Sequence, residues 1–233
     1  MLQINNLSIT FGCKTIVEDI SITIQEGEIV GIIGNNGSGK TSIISSIMSM
    51  IPYSKGQILF YSKKLDKANN YKNKIGYIPE NVELFDCITG NDYIKFVSKL
   101  RKNSNETYAK AMELAEYFKI TSLLNAKIET YSKGNKQKLA IITSMMHNPK
   151  LLVLDEPLDG LDSLSVQKYK SLLNTFKNGG GFVLLCCHNV EFVVDLCDRI
   201  HYIESGKITK TIDVSKLCRQ EKEELCNEFL EAI

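Results

Sequence analysis

No apolar run in this chain approaches the 18 residues that crossing a bilayer as a helix requires, so any role at a membrane is expected to come through another polypeptide. The opening segment MLQINNLSIT lacks a basic stretch followed by an apolar one, which argues against a secretory leader and for a soluble, cytosolic chain. Charge of one sign is also missing. Lys and Arg number 28 against 27 Asp and Glu, a net charge of +1, so nucleic acid is not expected as a partner. The seven cysteines, at 13, 87, 186, 187, 197, 218 and 226, are odd in number and contain no C-x-x-C. That pattern fits a reducing compartment, with cysteines used as small apolar side chains, and no metal site is expected of them. There is no internal repeat, and every chemical motif described below occurs once.

What is present is a chain of 233 residues, enough to bury about 70–75% of its unfolded surface. Residues 2–11 and 15–24 alternate as a half-buried strand pair does, with Gly12 between them. Strand 28–33 follows the Glu26-Gly27 turn, and a helix is expected over 40–50, stopped by Pro52. Short strands are expected at 57–61 and 75–78. From about 89 to 147 the pattern turns helical, opening with the capping box Thr89-x-x-Asp92. The runs 150–155 and 182–188 are continuously apolar, as strands covered on both faces of a parallel sheet are. Helix 163–177 connects them, and Cys186 and Cys187 read as core. Residues 199–212 read as a hairpin turning at Ser205-Gly206, and a charged helix follows 213.

Residues 34–41, GNNGSGKT, sit between strand 28–33 and the helix after it. This is the phosphate-binding loop G-x-x-x-x-G-K-[ST] in its proper context. Gly34, Gly37 and Gly39 let successive backbone N–H groups form an anion nest, completed by Asn35, Asn36 and Ser38. The helix beginning near Lys40 points its positive end at the same spot. Lys40 is expected to reach the β- and γ-phosphates of ATP, and Thr41 to ligate Mg²⁺. A carboxylate pair, Asp155-Glu156, ends the apolar run 151–154, where parallel sheets bind ligands. Asp155 is expected to face Mg²⁺, through water, and Glu156 to be the general base or water positioner. The fold class is therefore α/β, a P-loop NTPase core with a mostly parallel sheet.

With these motifs in hand, the chain resembles the ATP-binding cassette family over about residues 1–210. The most specific element is YSKGNKQKLA, residues 131–140, similar to the family signature Leu-Ser-Gly-Gly-Gln followed by a helix. The resemblance implies that Ser132 and Gly134 contact a γ-phosphate and that Asn135 lies on the ribose side. Lys133 stands where the signature has a glycine, as in cassettes of antibiotic, bacteriocin and lantibiotic exporters. It implies an adenine stack for Phe11 and a nucleotide contact for Ser42. Tyr77-Ile78-Pro79-Glu80 matches the glutamine loop, with Glu80 facing Mg²⁺ or water. Asp159-Gly160-Leu161-Asp162 matches the D-loop, with Asp162 also free to cap the next helix. His188 matches the switch histidine on the γ-phosphate, while His147 and His201 match nothing. Lys133, Lys136 and Lys138 are expected to form a solvated face beside the nucleotide.

The implied organisation is an ATP-binding core over 1–81 and 148–212 with an N-terminal antiparallel subdomain. A helical subdomain over 82–147 carries the signature, and 213–233 is a tail. The resemblance further implies two cassettes, as homodimer or heterodimer, closing on two Mg-ATP at the inner face of the membrane. A separate transmembrane permease would dock near Leu84, Phe85 and Tyr93. Export is favoured by Glu80, by Tyr131–Asn135 and by the short tail. The alternatives are a cassette without a transport role, such as an iron–sulfur assembly or regulatory ATPase, and a nucleotide-binding scaffold that hydrolyses nothing.

Overall fold

Alternating apolar side chains need one covered face, and the first two strands supply it. In the computed structural model, which describes residues 1–65, 70–101 and 104–232, β1 (Leu2–Phe11) and β2 (Lys14–Ile24) form an antiparallel pair. Its register runs from Leu2 opposite Ile24 to Phe11 opposite Lys14. Ile4, Leu7, Ile9, Val17, Ile20 and Ile24 point into the core. Close contacts divide the chain into two units, one of residues up to Lys72 together with those from Phe176 on, the other Asn73–Thr175.

The first unit continues with β3 (Ile29–Ile33), α1 (Lys40–Ile47), β4 (Lys55–Phe60) and β5 (Lys63–Lys64). The second holds β6 (Ile75–Ile78), α2 (Gly90–Lys99), α3 (Ser104–Tyr117), α4 (Lys133–Met145), β7 (Leu151–Asp155) and most of α5 (Ser163–Asn178). The chain then returns to the first unit as β8 (Phe182–Cys186), α6 (Val190–Leu196), β9 (Arg199–Glu204), β10 (Lys207–Asp213) and α7 (Arg219–Ala232).

Within the first unit an antiparallel sheet has the order β2-β1-β4-β5, and β3 lies between β8 and β9, parallel to both. Every residue of β3 and β8 is buried, which explains their unbroken apolar sequences. β9 and β10 are the expected hairpin, with Ser205 and Gly206 both left-handed at φ 47° and 80° as a tight primed turn demands. In the second unit β6 and β7 pair in parallel, Ile75 opposite Leu151 through Ile78 opposite Leu154. Thr89 caps α2 by accepting the Asp92 N–H at 3.1 Å.

Boundaries differ from the sequence reading at β4, at the end of β8 and most at α1. Helix α1 ends at Ile47, well ahead of Pro52. Ser49 is left-handed at φ 52°, and the Met50 N–H returns to the Ser45 carbonyl at 2.8 Å, a Schellman closure that ends the helix locally.

The two histidines that match no motif are packing residues. His201, buried in β9, has Nδ1 2.8 Å from Thr211 Oγ1. His147 donates from Nε2 to the Ile75 carbonyl at 3.1 Å. Burial pushes both imidazoles down to about 4, helped by the charge of Arg199 at His201 and of Arg101 at His147. An unfolded histidine titrates near 6.5. Both rings therefore stay neutral in the fold and gain protons on unfolding, so their contribution is complete above about pH 6.5 and shrinks as pH falls toward 4. At pH 5 the loss is about 1–2 kcal/mol per ring. Thermal melts at pH 7 and pH 5 are expected to differ by about 5–15 °C. His201→Gln is expected to remove roughly half of that difference; an unchanged acid slope would refute the assignment.

Candidate functional site

Strand β3 delivers the chain to Gly34, where it turns sharply. Gly34 has φ 153°, and a Cβ there would stand 2.1 Å from the Ile203 carbonyl oxygen, so no other residue fits. Asn35, Asn36 and Gly37 form an exposed crest, and Ser38, Gly39 and Lys40 turn back into the core. Gly39 starts α1 without a side-chain cap, so the first N–H groups of that helix remain available to an anion. Lys40 is only 9% exposed. Its ammonium donates to the carbonyls of Gly34 at 2.7 Å and Asn35 at 3.1 Å, which holds a positive charge across the loop. Thr41 and Ser42 follow in the first turn of α1, Thr41 exposed.

The loop has a support that sequence reasoning missed. The Gly206 N–H donates to the Ser38 carbonyl at 3.1 Å, and the Gly206 carbonyl accepts the Glu18 N–H at 2.9 Å. A Cβ on Gly206 would lie 2.2 Å from the Ile16 carbonyl oxygen. The β9–β10 turn is thus wedged between β2 and the phosphate loop. A glycine in a hairpin turn is explained by the turn alone, so nothing in the sequence flagged this second duty. Also in the first unit, Phe11 is exposed at the end of β1. His188 emerges from the buried pair Cys186 and Cys187, just ahead of Asn189, which caps α6 by accepting the Phe192 N–H at 2.9 Å.

In the second unit Glu80 is exposed two residues beyond β6. Ser132 caps α4, its Oγ accepting the Asn135 N–H at 3.2 Å, which leaves the hydroxyl proton to donate elsewhere. A Cβ on Gly134 would meet the Gly160 carbonyl oxygen at 2.3 Å, so this glycine is required for close packing as well as for an open N–H. Buried Asp155 ends β7, and Glu156 follows in a left-handed conformation, φ 47°. Asp162 caps α5 as expected. It accepts the Ser165 N–H at 2.8 Å and the Ser165 hydroxyl at 3.0 Å, and these bonds, with Lys138, hold its carboxyl down to about 2.

The sequence reading supplied no partners for the three lysines of α4. Lys133, itself 73% exposed, pairs with Asp159 at 2.9 Å, Lys136 with Asp86 at 2.7 Å and Lys138 with Asp162 at 3.3 Å. Partners 24, 26 and 50 residues distant in sequence carry no short-range signal.

The phosphate loop, the carboxylate pair at a strand end and the serine-capped helix define a P-loop ATPase of the cassette type. The family described as ABC transporter matches residues 17–159, and the chain belongs to that family. It is 34% identical over 220 residues to the linearmycin resistance ATP-binding protein LnrL of Bacillus subtilis, covering 94% of this chain and 71% of that protein. It is 30% identical over 208 residues to the lantibiotic transport ATP-binding protein SrtF of Streptococcus pyogenes, 89% of each chain. Among solved structures, the ATP-binding subunit of an ABC transporter superposes with a TM-score of 0.89 over 99% of both chains at 26% identity. A dimeric cassette in a post-hydrolysis state bound to ADP and Pi has the same fold, with a TM-score of 0.83 over 92% of this chain and 99% of that one at 21% identity. The protein is accordingly an ATP-binding and ATP-hydrolysing transporter cassette. Among the described residues no helix is long and apolar enough to cross a membrane.

Proposed function

We propose that this chain powers an exporter of antibiotic-, peptide- or bacteriocin-like cargo, working as one of two cassettes beneath a separate permease. The observations that support this reading are the buried Lys40 held at the loop before α1 and the Ser132-capped start of α4, two motifs that each occur once in the sequence. One chain then offers its loop to one ATP and its signature to the mate's, and two chains complete two sites. The names of the linearmycin resistance and lantibiotic transport relatives support the cargo class.

In this reading Lys40 binds the β- and γ-phosphates, Gly34 to Ser42 cradle them, and Phe11 stacks on the adenine. Glu156 positions the attacking water and takes its proton, and His188 donates to the γ-phosphate. Ser132, Gly134 and Asn135 of the mate close the site, with Asp162 at the junction. Mg²⁺ takes oxygen ligands, usually one or two carboxylates together with substrate phosphates. Thr41, Asp155 and Glu80 are the oxygen donors assigned to it. When bound, it neutralises charge on the β- and γ-phosphates.

The permease contact is assigned to the apolar face of α2 and the segment before it. Phe85 and Phe96 are 54% and 45% exposed. Phe85 stacks edge-on against Phe96 at 5.6 Å and against Tyr93 at 5.9 Å. Tagged full-length chain, extracted from its native membranes in mild detergent, is expected to co-purify with a polytopic membrane protein, and Phe85→Glu with Phe96→Glu to lose it. Recovery without any membrane protein, or with iron–sulfur assembly factors, would favour the cassette without a transport role.

A further inference from the structure

Lys133, Gly134, Gln137 and Lys138 are spaced so that they share one face of α4. All four meet the segment 157–162. Gln137 Nε2 donates to the Pro157 carbonyl at 2.8 Å in buried surroundings. Lys133 Nζ reaches Asp159 at 2.9 Å, and Lys138 Nζ reaches Asp162 at 3.3 Å. Between these ion pairs the backbones touch. A Cβ on Gly134 would lie 2.3 Å from the Gly160 carbonyl oxygen, and one on Gly160 would lie 2.9 Å from Lys133 Cγ and 3.2 Å from the Gly134 nitrogen. The segment begins directly after Glu156.

We infer that Lys133 is a positioning residue: paired with Asp159, it straps the Ser132 end of α4 to the segment following Glu156, so that a cassette presents both to its mate as one rigid piece. The inference rests on the two-cassette reading above. Lys133 and Asp159 are 73% and 39% exposed, so their attraction adds little to the stability of the fold. Its value lies in geometry, because a phosphate contact tolerates only about half an ångström of misplacement. A glycine at 133 would leave the packed glycines and Gln137 in place and remove the tether nearest the serine. The signature belongs to the mate's site, so loss of the tether weakens closure of the pair while each chain keeps its own grip on ATP.

The test uses full-length chain carrying Glu156→Gln, with Mg-ATP and dimerisation followed by sedimentation. Each dimer contains the strap twice, so Lys133→Gly is expected to weaken dimerisation about 3- to 30-fold. ATP affinity of the monomer and the melting temperature are expected to stay unchanged. The exchange Lys133→Asp with Asp159→Lys is expected to restore dimerisation, although Lys133→Asp alone is worse than glycine. Dimerisation that Lys133→Gly leaves unchanged would overturn the inference. So would an exchange that fails to rescue, since Lys133 would then be serving the mate's phosphate directly. Failure of the Glu156→Gln chain itself to dimerise with ATP would instead bring down the two-cassette reading, and the strap with it.

Discussion

Replacing Glu156 with glutamine is expected to slow ATP turnover about 10²- to 10⁴-fold, the usual contribution of a general base, while ATP binding survives. The amide keeps the shape and hydrogen-bonding reach of the carboxylate but cannot take a proton at neutral pH. Position matters as much as chemistry. Buried Asp155 ends β7, and the very next residue is left-handed at φ 47°, a conformation that costs a non-glycine side chain about 1–2 kcal/mol. Such strain persists where the surroundings over-determine it. Glutamine inherits that backbone at the same cost, so the variant is expected to fold normally and to accumulate as an ATP-bound dimer. Phosphate release and gel filtration with Mg-ATP read both effects together. Full turnover in this variant would remove Glu156 from the base role.

Lys40→Ala is expected to reduce turnover by about 10²- to 10³-fold, the scale seen when one preorganised donor is taken from a developing charge. Unlike the Glu156 change, it is expected to weaken nucleotide binding as well. Lys40 is 9% exposed and its ammonium already donates to the Gly34 and Asn35 carbonyls, so alanine removes both the charge and the brace across the loop. Lys40→Arg is not a rescue. A planar guanidinium presents its donors in a fixed fork, where the Gly34 and Asn35 carbonyls receive a compact ammonium. Nucleotide titration and turnover on the same preparation separate binding from chemistry. Undiminished binding by Lys40→Ala would argue that the helix start alone holds the phosphates.

Much of this was legible in the sequence because the signals were short in range. The loop 34–41 carries its own glycines and lysine, and the buried strands 29–33, 151–155 and 182–186 are announced by unbroken apolar residues. The caps of Thr89, Ser132 and Asp162 each close over three residues. What escaped depended on partners far along the chain or on backbone alone. The end of α1 lies in a serine at φ 52°, which has no distinctive sequence. The wedge of Gly206 under the phosphate loop joins residues 168 positions apart. The ion pairs of the α4 lysines gave no local signal because their aspartates lie 24 to 50 residues away.

The facing glycines 134 and 160 limit how this protein can change. A methyl group on the first would stand 2.3 Å from the carbonyl oxygen of the second, and relief by retreat of that oxygen would drag along Asp159, which Lys133 holds. A side chain at Gly134 would require that backbone to shift, and one at Gly160 would stand at φ 77° against the Gly134 nitrogen. Alanine at either glycine is therefore expected to loosen the seam between α4 and the segment after Glu156.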